Sequence, residues 1–332
     1  MATGPIPVFF VLLPDSLLLD WAGPAEAFRL TNQLLLADGA AAAFALRFIG
    51  PTASPVTSVG IAVTGVEPLP AKLPAASWVV LVGMPGQRFD ATSAPARQTL
   101  RWLRKLEPGR EGLRLVTVCA GTLLAAHAGL LHGRRATTHH HHLDELRAVA
   151  PDCDVVANRV FVLDDAVASS AGITTGIDLA LHLVAQECGA ALASRVAQTM
   201  VVALRRGPND PELSPFLSYR NHIHPVLHRV QDAVSAQPGL AWTVPAMAQA
   251  GLSSPRHLTR LFFEHAGIAP LQYLRRIRLA VAQAALESGR NVTQAADLAG
   301  FSSDTQLRRA WHQFGMDGKP SGAAARGAGT AA

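Results

Sequence analysis

The chain has 332 residues, 49% hydrophobic and 16% charged, so it can bury sizeable cores and is neither globally disordered nor collagen-like. Its net charge of +5 is unevenly placed: residues 1–222 hold 18 Lys/Arg against 18 Asp/Glu, whereas residues 223–322 hold 10 against 6. That asymmetry points the last third toward a polyanion. No apolar stretch reaches the roughly 18 residues a membrane span needs. The first apolar run, Val8–Leu13, is closed by Pro14 and Asp15 and has no basic segment before it. Neither a membrane span nor a secretory signal is expected, and the expected compartment is the cytoplasm. Three widely spaced cysteines, Cys119, Cys153 and Cys188, fit neither a disulfide framework nor zinc-ligand spacing.

Along the first 190 residues short apolar runs alternate with helical patterns. Val8–Leu13, Ala45–Ile49, Trp78–Val82, Leu115–Val118 and Val160–Leu163 read as strands, several of them apolar on both faces. Pro24–Leu36, Ala94–Leu106, Gly121–Leu131 and Ile177–Gln186 read as helices. This alternation predicts an α/β sandwich, a parallel sheet with helices on both faces, whose chemistry sits at the C-terminal strand ends. The proline-rich stretch Arg205–Tyr219 breaks the pattern, and from there to about Phe314 the chain reads as all-α. The expected domains are residues 1–204, a linker at 205–222, a helical domain at 223–316 and a disordered tail at 317–332, small and Gly/Ala-rich.

The helical third carries a duplicated pattern. Val244–Ala250 is followed by Gly251-Leu252, then Ser254 as N-cap and Pro255 at the first position of a helix reaching about His265. Gly251 is expected to supply the positive φ of the turn. The pattern recurs: Thr293 is expected to cap Gln294–Ala299, Gly300-Phe301 form the turn, and Ser303-x-x-Gln306 is a capping-box pattern opening Asp304–Phe314. Two such helix-turn-helix units, joined by a helix over Leu271–Leu286 of about 24 Å, would set two recognition helices roughly one DNA turn apart.

Within each second helix, Leu258, Leu261 and Phe262, and likewise Leu307, Ala310 and Trp311, share an inward stripe. Arg256, His257, Thr259 and Arg260, and Thr305, Gln306, Arg308 and Arg309, are left for outer faces as candidate DNA contacts. Arg reads guanine and Gln reads adenine through paired hydrogen bonds. Arg275, Arg276 and Arg278 on the connecting helix are expected at phosphates or in solvent. The segments at 250–262, 270–279 and 299–303 resemble the AraC/XylS family of transcription regulators over Pro225–Phe314. The chain departs from that family after Phe314-Gly315, where the usual Ser-Pro is replaced by Met316-Asp317.

In the first domain, Leu115–Val118 leads directly into Cys119-Ala120-Gly121, a strand-to-helix elbow that would expose a thiol at the start of a helix. Twenty residues on lies His139, the candidate base for a Cys–His pair, with Asp20 as the acid and Glu26 as second choice. Cys119 is equally readable as a small buried hydrophobe. Consecutive histidines point different ways, so no metal is expected at His139–His142, and no cofactor is expected anywhere. The elbow and Gly133–His139 resemble the PfpI branch of the glutamine amidotransferase-like superfamily over about residues 5–190, which implies a flavodoxin-like fold. Its Pro-Gly-Gly loop is here Gly83-Met84-Pro85-Gly86, which puts the oxyanion donor in question.

The two resemblances in this order are similar to the GlxA subgroup of AraC-type regulators. They imply a DNA-binding transcription regulator, not an enzyme. Its first domain would sense a small molecule at a pocket containing Asp20, Met84, Cys119 and His139, with amino acids and betaines as the effector class. The expected partners are promoter DNA, the effector, RNA polymerase and a second copy of the chain. The alternative is a Cys119-dependent hydrolase or amidase fused to a DNA-binding module.

Overall fold

The computed structural model describes residues 4–202, 206–208, 218–220, 222–287, 289–314, 316 and 320. The chain falls into two compact units that part between residues 212 and 213. Most of the expected linker and all of the expected tail except Pro320 lie outside the described residues.

In the first unit the doubly apolar runs become the strands of one sheet. These are β1 (Ile6–Val11), β2 (Phe44–Gly50), β3 (Glu67–Pro68), β4 (Trp78–Leu81), β5 (Arg114–Val118), β8 (Phe161–Asp164) and β9 (Val167–Ser170). They run in the order β3-β2-β1-β4-β5-β9-β8, with only β8 antiparallel to its neighbour. A separate ladder pairs β6 (Arg135–Ala136) with β7 (Asp154–Val155). Helix α1 (Leu18–Ala37) packs with α5 (Thr175–Cys188) and α6 (Ala190–Thr199), while α3 (Gly121–His127) packs with α2 (Ala94–Leu103) and α4 (Leu143–Val149). With helices in two groups, consecutive residues Leu115–Val118 of β5 are all buried, which explains why no alternation shows in their sequence.

Helix α1 begins at Leu18, six residues before the expected start, and carries Pro24 in its interior. There the helix loses one backbone bond, yet Asp20 is drawn into the helix's first turn, beneath the strand ends. Strand β9 was not expected. It is short and ends in Ser169-Ser170, both fully buried beside β5.

Among its described residues the second unit holds helices and no strand: α7 (Pro225–Ala236), α8 (Val244–Ala250), α9 (Pro255–Leu261), α10 (Pro270–Glu287), α11 (Val292–Leu298) and α12 (Asp304–Gln313). A π-helical turn, Phe262–Ala266, extends α9 until Gly267 ends it in the left-handed conformation. There are two cores. Leu258, Leu261 and Phe262 close the first with Val230 and Met247, and Leu307, Ala310 and Trp311 close the second with Ala295 and Phe301. Helix α10 serves both, giving Tyr273, Leu274 and Ile277 to one and Leu279, Ala282 and Leu286 to the other.

Candidate functional site

Each helical core builds one helix-turn-helix. In the first, Thr243 caps α8, its hydroxyl accepting from the Ala246 amide, and Ser254 caps α9 by accepting from His257 at 3.3 Å. In the second, Asn291 rather than Thr293 caps α11, in a two-way capping box with Gln294, because the helix starts two residues earlier than expected. Ser303 caps α12. The first helices are therefore offset by 48 residues and the recognition helices by 49, so the second turn holds one more residue.

That register also corrects the role of Gly251. It lies at φ −81°, and the left-handed residue of the first turn is Leu252 at φ 55°, which corresponds to Gly300 at φ 77°. Gly251 is needed for room instead: a Cβ there would lie 2.7 Å from the Val230 side chain.

On the outer faces Arg256, Arg260, Thr305, Gln306, Arg308 and Arg309 are exposed, and His257 and Thr259 half-buried. Some are engaged internally. Thr259 donates to the Pro255 carbonyl at 2.8 Å, and Arg260 donates to His257 Nδ1 at 3.3 Å. Gln306 Oε1 accepts from the Ser302 amide at 2.9 Å and its hydroxyl at 3.2 Å, so two-point reading of adenine would have to break that cap. Arg256, Arg308 and Arg309 form no ion pair among the described residues.

The connecting helix differs from expectation at two arginines. Arg278 donates to the Pro238 and Leu240 carbonyls at 2.9 and 2.7 Å, and the Arg276 guanidinium lies 5.0 Å over the Phe314 ring. Both fasten the unit internally, and of the three only Arg275 is exposed.

In the first unit Asp20, Gly83, Cys119 and Ile173 converge at the C-terminal ends of β1, β4, β5 and β9, the usual location for a site in such a sheet. Cys119 turns the chain from β5 into α3 at φ 58°, a strained conformation for a residue with a side chain. Its amide donates to the Ser170 carbonyl at 3.0 Å, and its carbonyl accepts from Thr138 Oγ1 at 2.8 Å. The Asp20 carboxyl, fully buried, accepts from the Gly83 amide at 3.1 Å and from the Ile173 amide at 2.7 Å, and the Cys119 side chain flanks the same glycine. Met84 follows, half-buried against the core. Glu26, the second choice of acid, is on an exposed face of α1 paired with Arg29.

Burial raises the Asp20 pKa above 3.8, opposed by its hydrogen bonds. Between 3.8 and the raised value the folded chain holds a proton that the unfolded chain has released, so this group's contribution to stability falls as pH rises. Asp20→Asn is expected to remove that component. The wild-type-minus-variant difference in urea-unfolding free energy should decline from pH 4 upward and then level off. A difference independent of pH would contradict the buried-carboxyl reading.

The acid beside the thiol is thus Asp20. His139 is engaged by its own segment: Nδ1 accepts from the His141 amide at 3.4 Å, and burial with the neighbouring imidazoles pushes its pKa down to about 4. A general base works best near the operating pH. The Gly83 amide, a candidate oxyanion donor, is committed to Asp20. The expectation that consecutive histidines diverge fails. Because the His139 ring folds back over the turn His140–His142, one ring nitrogen of each of His139, His140 and His141 lies within 4.8 Å of the others. His142 turns away to Glu145 Oε2 at 3.1 Å.

Two groups in the elbow had no signal in the sequence: the Ile173 amide and the Ser170 carbonyl. Ser170 Oγ is buried without a hydrogen-bond partner among the described residues.

Residues 21–186 match the DJ-1/PfpI family and residues 247–315 a helix-turn-helix domain. The chain is similar to the HTH-type transcriptional regulator GlxA of Rhizobium meliloti, 30% identical over 237 residues, 71% of each chain. It is also similar to the HTH-type transcriptional regulator GbdR of Pseudomonas aeruginosa, 24% identical over 94% of this chain and 82% of that one. A THiJ/PfpI family protein from Pseudomonas syringae shares the fold at TM-score 0.52 and 20% identity, covering 75% of this chain and 91% of that one.

Proposed function

The chain belongs to the HTH-type transcriptional regulators that join a DJ-1/PfpI-type unit to an AraC-type helix-turn-helix unit, and on that premise we propose that its first unit senses a small metabolite at the Asp20–Cys119 elbow. It is a DNA-binding regulator. The proposal adds the effector, action on RNA polymerase as a homodimer in the cytoplasm, and the assignment of Arg256, His257, Thr259, Arg260, Thr305, Gln306, Arg308 and Arg309 to the DNA face.

One observation carries the sensor reading: a buried carboxyl beside a thiol on a strained elbow, with the Ser170 hydroxyl, unpartnered among the described residues, in the adjoining strand end. Strain and buried polar atoms concentrate where a ligand is recognised. The hydrolase reading fits less well, because the Gly83 amide is occupied and His139 is a poor base at neutral pH.

Thermal unfolding of the full chain with arginine, glycine and glycine betaine tests the proposal. A ligand at a hundred times its Kd stabilises by about 2.7 kcal/mol, which raises Tm by about 5–10 °C for a unit of this size. The shift is expected for one of these compounds and should be lost in Asp20→Asn and Cys119→Ala. A shift that survives both variants, or no shift with any of the three, would move the effector elsewhere. Consumption of the ligand by wild type but not by Cys119→Ser would favour the hydrolase.

A further inference from the structure

In the run His139–His142 the first three imidazoles are gathered. Their ring centroids stand 4.2 Å apart for His139 and His140, 4.9 Å for His139 and His141, and 4.3 Å for His140 and His141. We propose that His139, His140 and His141 form a binding site for a borderline divalent transition-metal ion of the zinc and nickel class.

The geometry supports it in three ways. One nitrogen from each ring lies within 4.8 Å of the others, so small rotamer changes bring all three to the roughly 2.0–2.1 Å at which imidazole binds zinc. The donor set is all nitrogen, which suits zinc, nickel and copper and disfavours magnesium and calcium. His139 and His140 are half-buried and His141 exposed, so the group is anchored on one side and open to an arriving ion on the other. Three protein ligands leave the fourth position for water or a small ligand, as in open zinc sites. His142 stays outside the group because Glu145 holds it. The segment leads straight out of the elbow, since Thr138, the residue before His139, donates to the Cys119 carbonyl.

The test uses untagged full-length protein stripped with chelator and titrated calorimetrically with ZnCl2, NiCl2 and MgCl2. One zinc or nickel ion per chain is expected, at a Kd of about 10 µM or tighter (about −7 kcal/mol), with no heat from magnesium. His140→Gln/His141→Gln should weaken binding at least tenfold. A second group of histidines supplies the control: the rings of His222 and His224 lie 6.1 and 5.2 Å from that of His265. His222→Gln/His265→Gln should bind as wild type. Metal-free melting curves check that the variants fold, and should the double variant fail, His141→Gln alone is read by the same criterion. CoCl2 gives an independent readout, because a tetrahedral nitrogen site develops a visible ligand-field band. The proposal is overturned by wild-type binding weaker than about 100 µM, by unchanged binding in the His140/His141 variants, or by a loss that follows His222 and His265 instead.

Discussion

Arg309→Ala is expected to weaken binding of the full-length protein to its promoter by about 1–3 kcal/mol, roughly five- to 150-fold in Kd. Arg256→Ala should do the same. Both arginines are exposed on the recognition helices α12 and α9 and form no ion pair among the described residues, so alanine removes a guanidinium without stranding an internal partner. Around each, the buried stripes Leu258-Leu261-Phe262 and Leu307-Ala310-Trp311 fix the helix rotation and leave the arginine side outward. Fluorescence anisotropy on promoter DNA and on a scrambled duplex, at several salt concentrations, separates the two possible contacts. A base reader loses specificity at one position and keeps its salt slope. A phosphate contact weakens both duplexes alike and lowers the slope by about one. Arg278→Ala is the counterpart, because that side chain holds two loop carbonyls. It should lower unfolding stability by about 1–3 kcal/mol through the second unit. Wild-type affinity in both Arg256→Ala and Arg309→Ala would place the DNA face elsewhere.

The duplication was legible because it rests on local chemistry: caps, turn residues and a 3.6-residue stripe. Its fine register was not. Gly251 and Gly300 look equivalent by spacing, but the left-handed positions are Leu252 and Gly300, and only the tertiary contact of Gly251 with Val230 explains the first glycine. Thr293 and Asn291 are both good caps, and the choice fell to the one whose partner, Gln294, sits three residues on. In the first unit, strands with apolar residues on both faces were readable and β9 was not. Ser169 is accommodated in the interior by a hydrogen bond from a distant segment, its Oγ accepting from the Thr137 amide. The elbow was half legible. Cys119 and Asp20 were named from their places at strand ends, whereas the Ile173 amide that orients Asp20 is a backbone group with no residue signature. The gathering of the first three imidazoles was not legible, since spacing along the chain does not anticipate a ring folding back over its own turn.

Gly172→Ala is expected to destabilise the first unit by about 2–5 kcal/mol. Two effects combine. Gly172 lies at φ 95°, where a side chain costs about 1–2 kcal/mol. In addition, a Cβ there would lie 2.7 Å from Cys119 Cα and 2.8 Å from Cys119 Sγ, and overpacking of this kind costs about 1–3 kcal/mol. Cys119 has nowhere to retreat: Ser170 holds its amide, while Thr138 and the Thr122 amide hold its carbonyl. Gly39→Ala isolates the backbone effect, because Gly39 lies at φ 77° with nothing within 4 Å of its missing Cβ. Urea unfolding followed by circular dichroism should show the smaller loss there and the full loss at Gly172. Cys119→Gly in the Gly172→Ala background removes the thiol clash and the strained φ of residue 119 together. It should recover part of the loss, with a coupling energy of about 0.5–3 kcal/mol. Strictly additive effects of the two substitutions, or a Gly172→Ala protein as stable as wild type, would mean that Gly172 does not hold the elbow in the form described.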